Sequence, residues 1–301
     1  MSKKQNYHRN YKQTKNNHQN KMLGTNPILA IILSAIGNIL MSLGAVIQKQ
    51  GADTALEIGK HPLLDTIKSF LTNETWLKGA ALALTGLPLY FLAFQYGDLI
   101  YVQPMIGFGT LAIVLYALKI LKEKTTKTEL IGILFVILGP IIIAYGSQNI
   151  TPNEIQINYT LIIVFYLIFY LIISILLLMQ TRFEKGKKKA AIFAITTGTL
   201  LGLAALSGRL TSFHIGLQYL LFIGILLLNL GLGTVSSQIM YQKGRAIITL
   251  NISNSFNLIL PVTAGIFILS EKTNIMLITG LIIILIGCVL LSKLQSTAIK
   301  K

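Results

Sequence analysis

Acidic side chains are scarce in this chain. Only 10 Asp and Glu stand against 26 Lys and Arg in 301 residues, and the carboxylates nearest the apolar runs, Asp98, Glu123, Glu129 and Glu271, all fall at run ends. The roles left to them are corner anchoring and helix N-terminal charge. Cysteine is nearly absent. The single Cys288 lies inside an apolar run, so there is neither a disulfide framework nor a Cys-based metal centre. The four histidines, His8, His18, His61 and His214, fall in the N-terminal tail or between runs at unrelated spacings, and no HExxH, paired Cys or Gly-rich phosphate loop occurs. No enzyme chemistry and no cofactor are expected. The basic excess gathers at the ends of apolar runs and not in a groove with stacking aromatics, so nucleic acid is not a partner.

Apolar residues are abundant: they make up 53% of the chain against 12% charged, with a mean hydropathy of +0.68. That balance exceeds what a soluble domain of this length needs for its core, and makes the lipid bilayer the expected solvent. Leu161 to Met179 runs for 19 residues with only Ser174 breaking it, close to the roughly 20 that cross a bilayer. Windows of this length give nine spans at 27–47, 76–96, 99–119, 130–147, 159–179, 190–208, 217–240, 246–269 and 274–292. The fold class expected is an all-α, multi-pass integral membrane bundle. Residues 51–73 are of helix length but carry Asp53, Glu57, Lys60, His61, Asp65 and Lys68, which favours a surface loop with an amphipathic turn over a tenth span. Residues 1–26 read as a disordered basic tail with no evident cleavable signal, ahead of a retained first helix.

The chain also matches itself. At a shift of 148, Gln103 falls on Asn251, Glu123-Lys124-Thr125 on Glu271-Lys272-Thr273, Gly132 on Gly280 and Gly139 on Gly287; at 147, Gly86 falls on Gly233. Duplicated halves are a common way to build a transporter with its site at the repeat interface. The halves are 27–150, with four spans and the loop 48–75, and 151–296, with five spans. Nine spans put 18 of the 26 basic residues on one side, so the C-terminus is expected in the cytoplasm and the N-terminus outside. The six tail charges pull the other way, and a tenth span over 51–73 would return them to the cytoplasm. Matched three-span units displaced by five spans run in opposite senses, and their corner charges switch accordingly: Lys119, Lys122, Lys124 and Lys127 in one copy, Lys272 alone in the other.

Two Leu-x-Glu-Lys corners, Leu121 to Lys124 and Leu269 to Lys272, each lead into a Gly-x6-Gly helix. In this the chain resembles the drug/metabolite transporter superfamily, in the EamA-like manner of paired inverted halves. Gly37-Asn38 through Gly44 and on to Gln48-Lys49-Gln50-Gly51, the charged loop, Trp76 and Tyr101-Val-Gln-Pro104 look most like the NIPA-type magnesium transporters. That resemblance implies passage of Mg²⁺ or a related divalent cation; a small organic metabolite is the alternative, and a non-transporting accessory subunit a third. Unlike small multidrug exporters of that superfamily, the chain holds no mid-span acid, which disfavours their proton exchange. The expected partners are the bilayer, a small solute or divalent cation, and a second copy of the chain as an option.

Polar residues inside spans are costly unless they face a cavity or another helix. Asn251, Asn254 and Ser255 share one helical face; Gln103 matches Asn251 in the other half; Asn38 and Ser42 are one turn apart in the first span; Asn229, Ser237 and Gln238 lie in the seventh. These nine form the expected cavity lining, neutral throughout, with no tightly bound metal. Mg²⁺ sheds water reluctantly and can pass with its waters bonded to amide and hydroxyl oxygens. Pro104 and Pro261, in matched helices, each remove a backbone donor.

Overall fold

A computed structural model describes residues 26–120, 122, 127–147, 157–180 and 187–293. The basic tail before Asn26, the Glu123-Lys124 corner, most of the loop 181–189 and the C-terminus lie outside the described residues. Among those described, all regular structure is helical: α1 (Pro27–Ala52), α2 (Leu63–Leu71), α3 (Glu74–Tyr96), α4 (Leu99–Val102), a 3₁₀ turn (Gln103–Met105), α5 (Ile106–Lys119), α6 (Lys127–Ser147), α7 (Tyr159–Gln180), α8 (Lys187–Thr211), α9 (Leu217–Lys243), α10 (Ala246–Phe267) and α11 (Ile275–Lys293). Six helices are long and apolar enough to cross a membrane, in α1, α3, α7, α8, α9 and α10; shorter apolar helices cover Gln103–Tyr116, Leu130–Ile143 and Ile275–Gly287.

Asparagines start the helices. The Asn26 side chain accepts from Leu29 N at 3.0 Å with Pro27 in the first turn, and Asn73, Asn158 and Asn274 do the same for α3, α7 and α11. Each satisfies one of the N–H groups that a helix start leaves open. Residues 53–73 form no span. Their one helix, the nine-residue α2, buries Thr66 and Phe70 and leaves Leu63, Leu64, Ile67 and Leu71 exposed.

Packing rests on small residues. α1 runs along α3, where a Cβ on Gly44 would lie 2.5 Å from Gly79 O and one on Gly37 2.9 Å from Gly86 O. α6 crosses α11 antiparallel: a Cβ on Gly139 would meet Gly280 O at 2.7 Å and the Ile284 side chain, and one on Gly287 would meet Gly132 O at 2.8 Å and Val136 at 2.9 Å. Such close backbone approach is how helices associate where lipid offers no hydrophobic drive. α8, buried along most of its length, packs against α9 and α10 and forms the centre; α7 is mostly exposed at the edge. Among the described residues, the only non-glycine residues with positive φ are Lys122 (52°) and Ser270 (53°), at matched places in the two corners.

The window 99–119 does not form one helix. It is α4, a 3₁₀ turn and α5. Pro104 cannot donate a backbone hydrogen bond, and Ile106 N turns back to Gln103 O and Pro104 O. Pro261 leaves its matched helix, α10, continuous.

Candidate functional site

Four candidate residues, Asn38, Ser42, Gln103 and Asn254, lie on elements that pack together around the break at Gln103. Ser34 Oγ, in α1, donates to Val102 O at 2.7 Å, which ties α1 to the end of α4. Asn38, one turn on, donates to Ser34 O at 2.9 Å and is buried. A further turn along, Ser42 Oγ lies against the Cα of Gly109 in α5. Gln103 is fully buried and donates Nε2–H to the Tyr90 hydroxyl at 2.6 Å. Its Oε1 has no hydrogen-bond partner among the described residues. A buried amide oxygen in that state is costly, and such groups ordinarily find water, an ion or a donor.

α10 completes the neighbourhood. It packs on the 3₁₀ turn, and Asn254 Nδ2 donates to Thr110 Oγ1 in α5 at 3.1 Å. Asn251 is buried one turn before Asn254, whereas Ser255 Oγ bonds back to Asn251 O at 2.7 Å within its own helix. Asn257 Oδ1, on the same helix, is buried with no hydrogen-bond partner among the described residues. Asn38, Ser42, Gln103 and Asn254 thus lie along the junction of α1, the α4–α5 break and α10.

The three candidates in α9 make other contacts. Asn229 exchanges hydrogen bonds with the Tyr170 hydroxyl at 2.9 and 3.2 Å and donates to Ile225 O, tying α7 to α9. Gln238 accepts from Trp76 Nε1 at 2.8 Å and donates to Gln48 Oε1 at 3.2 Å, linking α9 to α3 and α1. Ser237 Oγ donates to Thr234 O.

Sequence reasoning missed Tyr90, Ser34 and Thr110, whose importance depends on cross-helix partners 13, 68 and 144 residues away. It also gave Arg209 no role. Arg209 ends α8 buried, with its guanidinium bonded to Asp98 Oδ1, to Glu271 Oε1 at 3.4 Å and to Phe94 O at 2.8 Å, and stacked 4.5 Å above the Phe213 ring. Glu271 in turn accepts from Leu99 N and Ile100 N, both at 3.1 Å, capping α4. Burial pushes the Glu271 carboxyl up and Asp98 adds to this, while Arg209 and the two peptide N–H groups pull it down. Among the described residues, no group of three or more His, Cys, Asp or Glu is arranged to hold a metal ion.

No protein-family model matches this chain, and no solved structure does. It is similar to the probable magnesium transporter NIPA9 of Arabidopsis thaliana, 22% identical over 269 residues, covering 83% of this chain and 78% of the relative. It is also similar to the probable magnesium transporter NIPA6 of the same plant, 24% identical over 189 residues, 60% of this chain and 54% of the relative. Together with its apolar helices, these likenesses mark the chain as a multi-pass helical membrane protein.

Proposed function

We propose that the chain is a nine-span transporter that passes a hydrated divalent cation, Mg²⁺ first, along neutral oxygens at the junction of α1, the α4–α5 break and α10. One observation carries the reading: a broken helix holding a buried Gln103 Oε1 that has no hydrogen-bond partner among the described residues, where it is packed by the helices that carry Asn38, Ser42 and Asn254. Irregular backbone at membrane depth is tolerated where it lines a polar path, and transporters bind cations at such breaks. Neutral amide and hydroxyl groups suit an ion that keeps its water. The names of the two relatives point to the same substrate. Asn251 belongs to this lining by its place one turn from Asn254. Asn229, Ser237 and Gln238 we assign to fastening α7, α3 and α1 onto α9.

The three shorter apolar helices bring the six long ones to nine. Inverted halves are supported by the self-match, by the left-handed corners at Lys122 and Ser270, and by the antiparallel crossing of α6 and α11. The charge bias puts the C-terminus in the cytoplasm and the N-terminus outside. No step of this function makes or breaks a bond in the cargo.

The test is Mg²⁺ entry into proteoliposomes holding a Mg²⁺-sensitive dye. Gln103→Leu removes the free oxygen and should lower flux more than about tenfold, at a stability loss of about 1 kcal/mol from the broken Tyr90 bond. Tyr90→Phe breaks the same bond and keeps the oxygen, so it should keep most of the flux. Equal flux in Gln103→Leu and wild type would exclude the site. No Mg²⁺ flux in wild type would exclude the substrate, leaving an organic metabolite or an accessory role.

A further inference from the structure

The Asp98–Arg209–Glu271 cluster is not needed for passage along neutral oxygens, yet it is the most heavily buried ionic group among the described residues. The three side chains are 10%, 5% and 0% exposed. They join three corners at one end of the bundle: Asp98 between α3 and α4, Arg209 at the end of α8, and Glu271 between α10 and α11. Two carboxylates against one guanidinium leave one negative charge. An unmatched buried charge costs several kcal/mol, and groups so placed bind a proton instead.

Among the described residues, the ion pairs of Asp98 and Glu271 are with Arg209 and with no second cation. From α3 comes Phe94 O, and from α4 the N–H groups of Leu99 and Ile100, in a four-residue helix whose dipole is small. From the α8 end, beyond Arg209, comes His214, whose Nδ1 meets Leu210 O at 2.6 Å and whose Nε2 meets the Tyr159 hydroxyl at 3.0 Å, so both ring nitrogens are engaged elsewhere. Lys272 follows Glu271 but is exposed. The charged side chains that act most on the Glu271 carboxyl are Asp98 and Arg209.

We propose that this end is a proton-linked latch: it closes with one proton taken up by the Glu271 carboxyl, buried against Asp98 and Arg209, and opens by giving that proton to water. Bound, it leaves a neutral cluster that can stay buried, with Arg209 still bridging the corners and Glu271 still holding the start of α4. Lost, it leaves a net charge that water must reach. The upward displacement of the Glu271 carboxyl by burial agrees. The sign follows by linkage: a carboxyl raised in the closed state favours closure below its ordinary value, and that preference is lost as pH rises through the raised value. The latch rests on the transport reading only in supposing that this end opens. Because α4 leads from Glu271 directly into the break at Gln103, release of the proton would be felt at the proposed path.

The experiment needs no cargo and so stands or falls apart from Mg²⁺ flux. In a Cys288→Ser background, Ser212→Cys places a thiol at a buried site in the next turn after Arg209, and Thr273→Cys gives an exposed reference that corrects for thiol ionisation. Labelling of position 212 relative to 273 in purified protein should rise on the order of tenfold between about pH 5.5 and about pH 8.5. In Glu271→Gln, which fixes the neutral state, the ratio should stay low at both. Asp98→Asn reaches the same net charge and serves where Glu271→Gln does not fold. A ratio independent of pH in the unsubstituted cluster overturns the latch, and so does a neutral variant that opens as widely as the unsubstituted cluster does when alkaline.

Discussion

A hydrogen atom in place of a methyl group decides how α1 meets α3. At Gly44 an added Cβ would sit 2.5 Å from Gly79 O and 2.6 Å from Ala83 N, both backbone atoms that cannot swing aside. Gly44→Ala should therefore cost about 1–3 kcal/mol, read as a lower Tm in detergent. Gly224, inside α9, has nothing within 4 Å of a built Cβ, so Gly224→Ala should not lower the Tm and can gain up to about 1 kcal/mol of helix propensity. Equal losses at the two positions would mean that neither glycine is there for packing. In the sequence the two residues look alike, each a glycine in an apolar run. The same limit applies to amides. That Asn229 and Asn254 are polar residues inside spans was legible, but not that one bonds a tyrosine on α7 and the other a threonine on α5.

Elements were more legible than partners, because an apolar run of spanning length has few alternatives to a helix. The nine windows all fall on helices, and the polar stretch after α1 forms only the short α2. The break at Gln103 was not legible. Pro104 and Pro261 look alike in sequence, and only the former coincides with a change of helix type, at a point where Ser34 takes up Val102 O. Nor could the strapping of residues 53–60 to α9 be read. Gln242 accepts from Ile58 N and donates to Leu56 O, while Lys243 pairs with Glu57 at 2.8 Å. The Lys243 bond first, then Lys60, holds the Glu57 carboxyl down at about 2. A lowered carboxyl contributes stability above its ordinary value and loses it as pH falls towards about 2. Since Glu57 is partly exposed, the contribution is a few tenths of a kcal/mol. Glu57→Gln should thus raise amide hydrogen exchange over residues 53–60 about twofold at neutral pH, by loosening the strap and nothing else. The difference from wild type should shrink in acid.

For the molecule as a whole, one crossing bears on the proposed sense of the duplication. Shifting Gly139, Gly280 and Ile284 by 148 residues, forward for the first and back for the other two, gives Gly287, Gly132 and Val136, the very set found at the other end of the contact between α6 and α11. A contact that maps onto itself when its two partners are exchanged has a two-fold axis, and an antiparallel pair sets that axis across the helices. Helices related in this way cross a bilayer in opposite senses, which is the inverted arrangement of our functional reading. Copies running in the same sense would offer no such exchange. The consequence is thermodynamic equality. Gly139→Ala and Gly287→Ala each press a Cβ towards a glycine carbonyl, at 2.7 and 2.8 Å, and towards a β-branched side chain. The two should destabilise the protein by amounts that agree within about 0.5 kcal/mol. Seven residues along a helix separate the two contacts by about 10 Å, so the double variant should show nearly the sum. Thermal unfolding of the three variants in one detergent gives the comparison. A large loss at one glycine with none at the other would mean that the matched sequence no longer serves matched packing, and the two-fold reading of this crossing would fail.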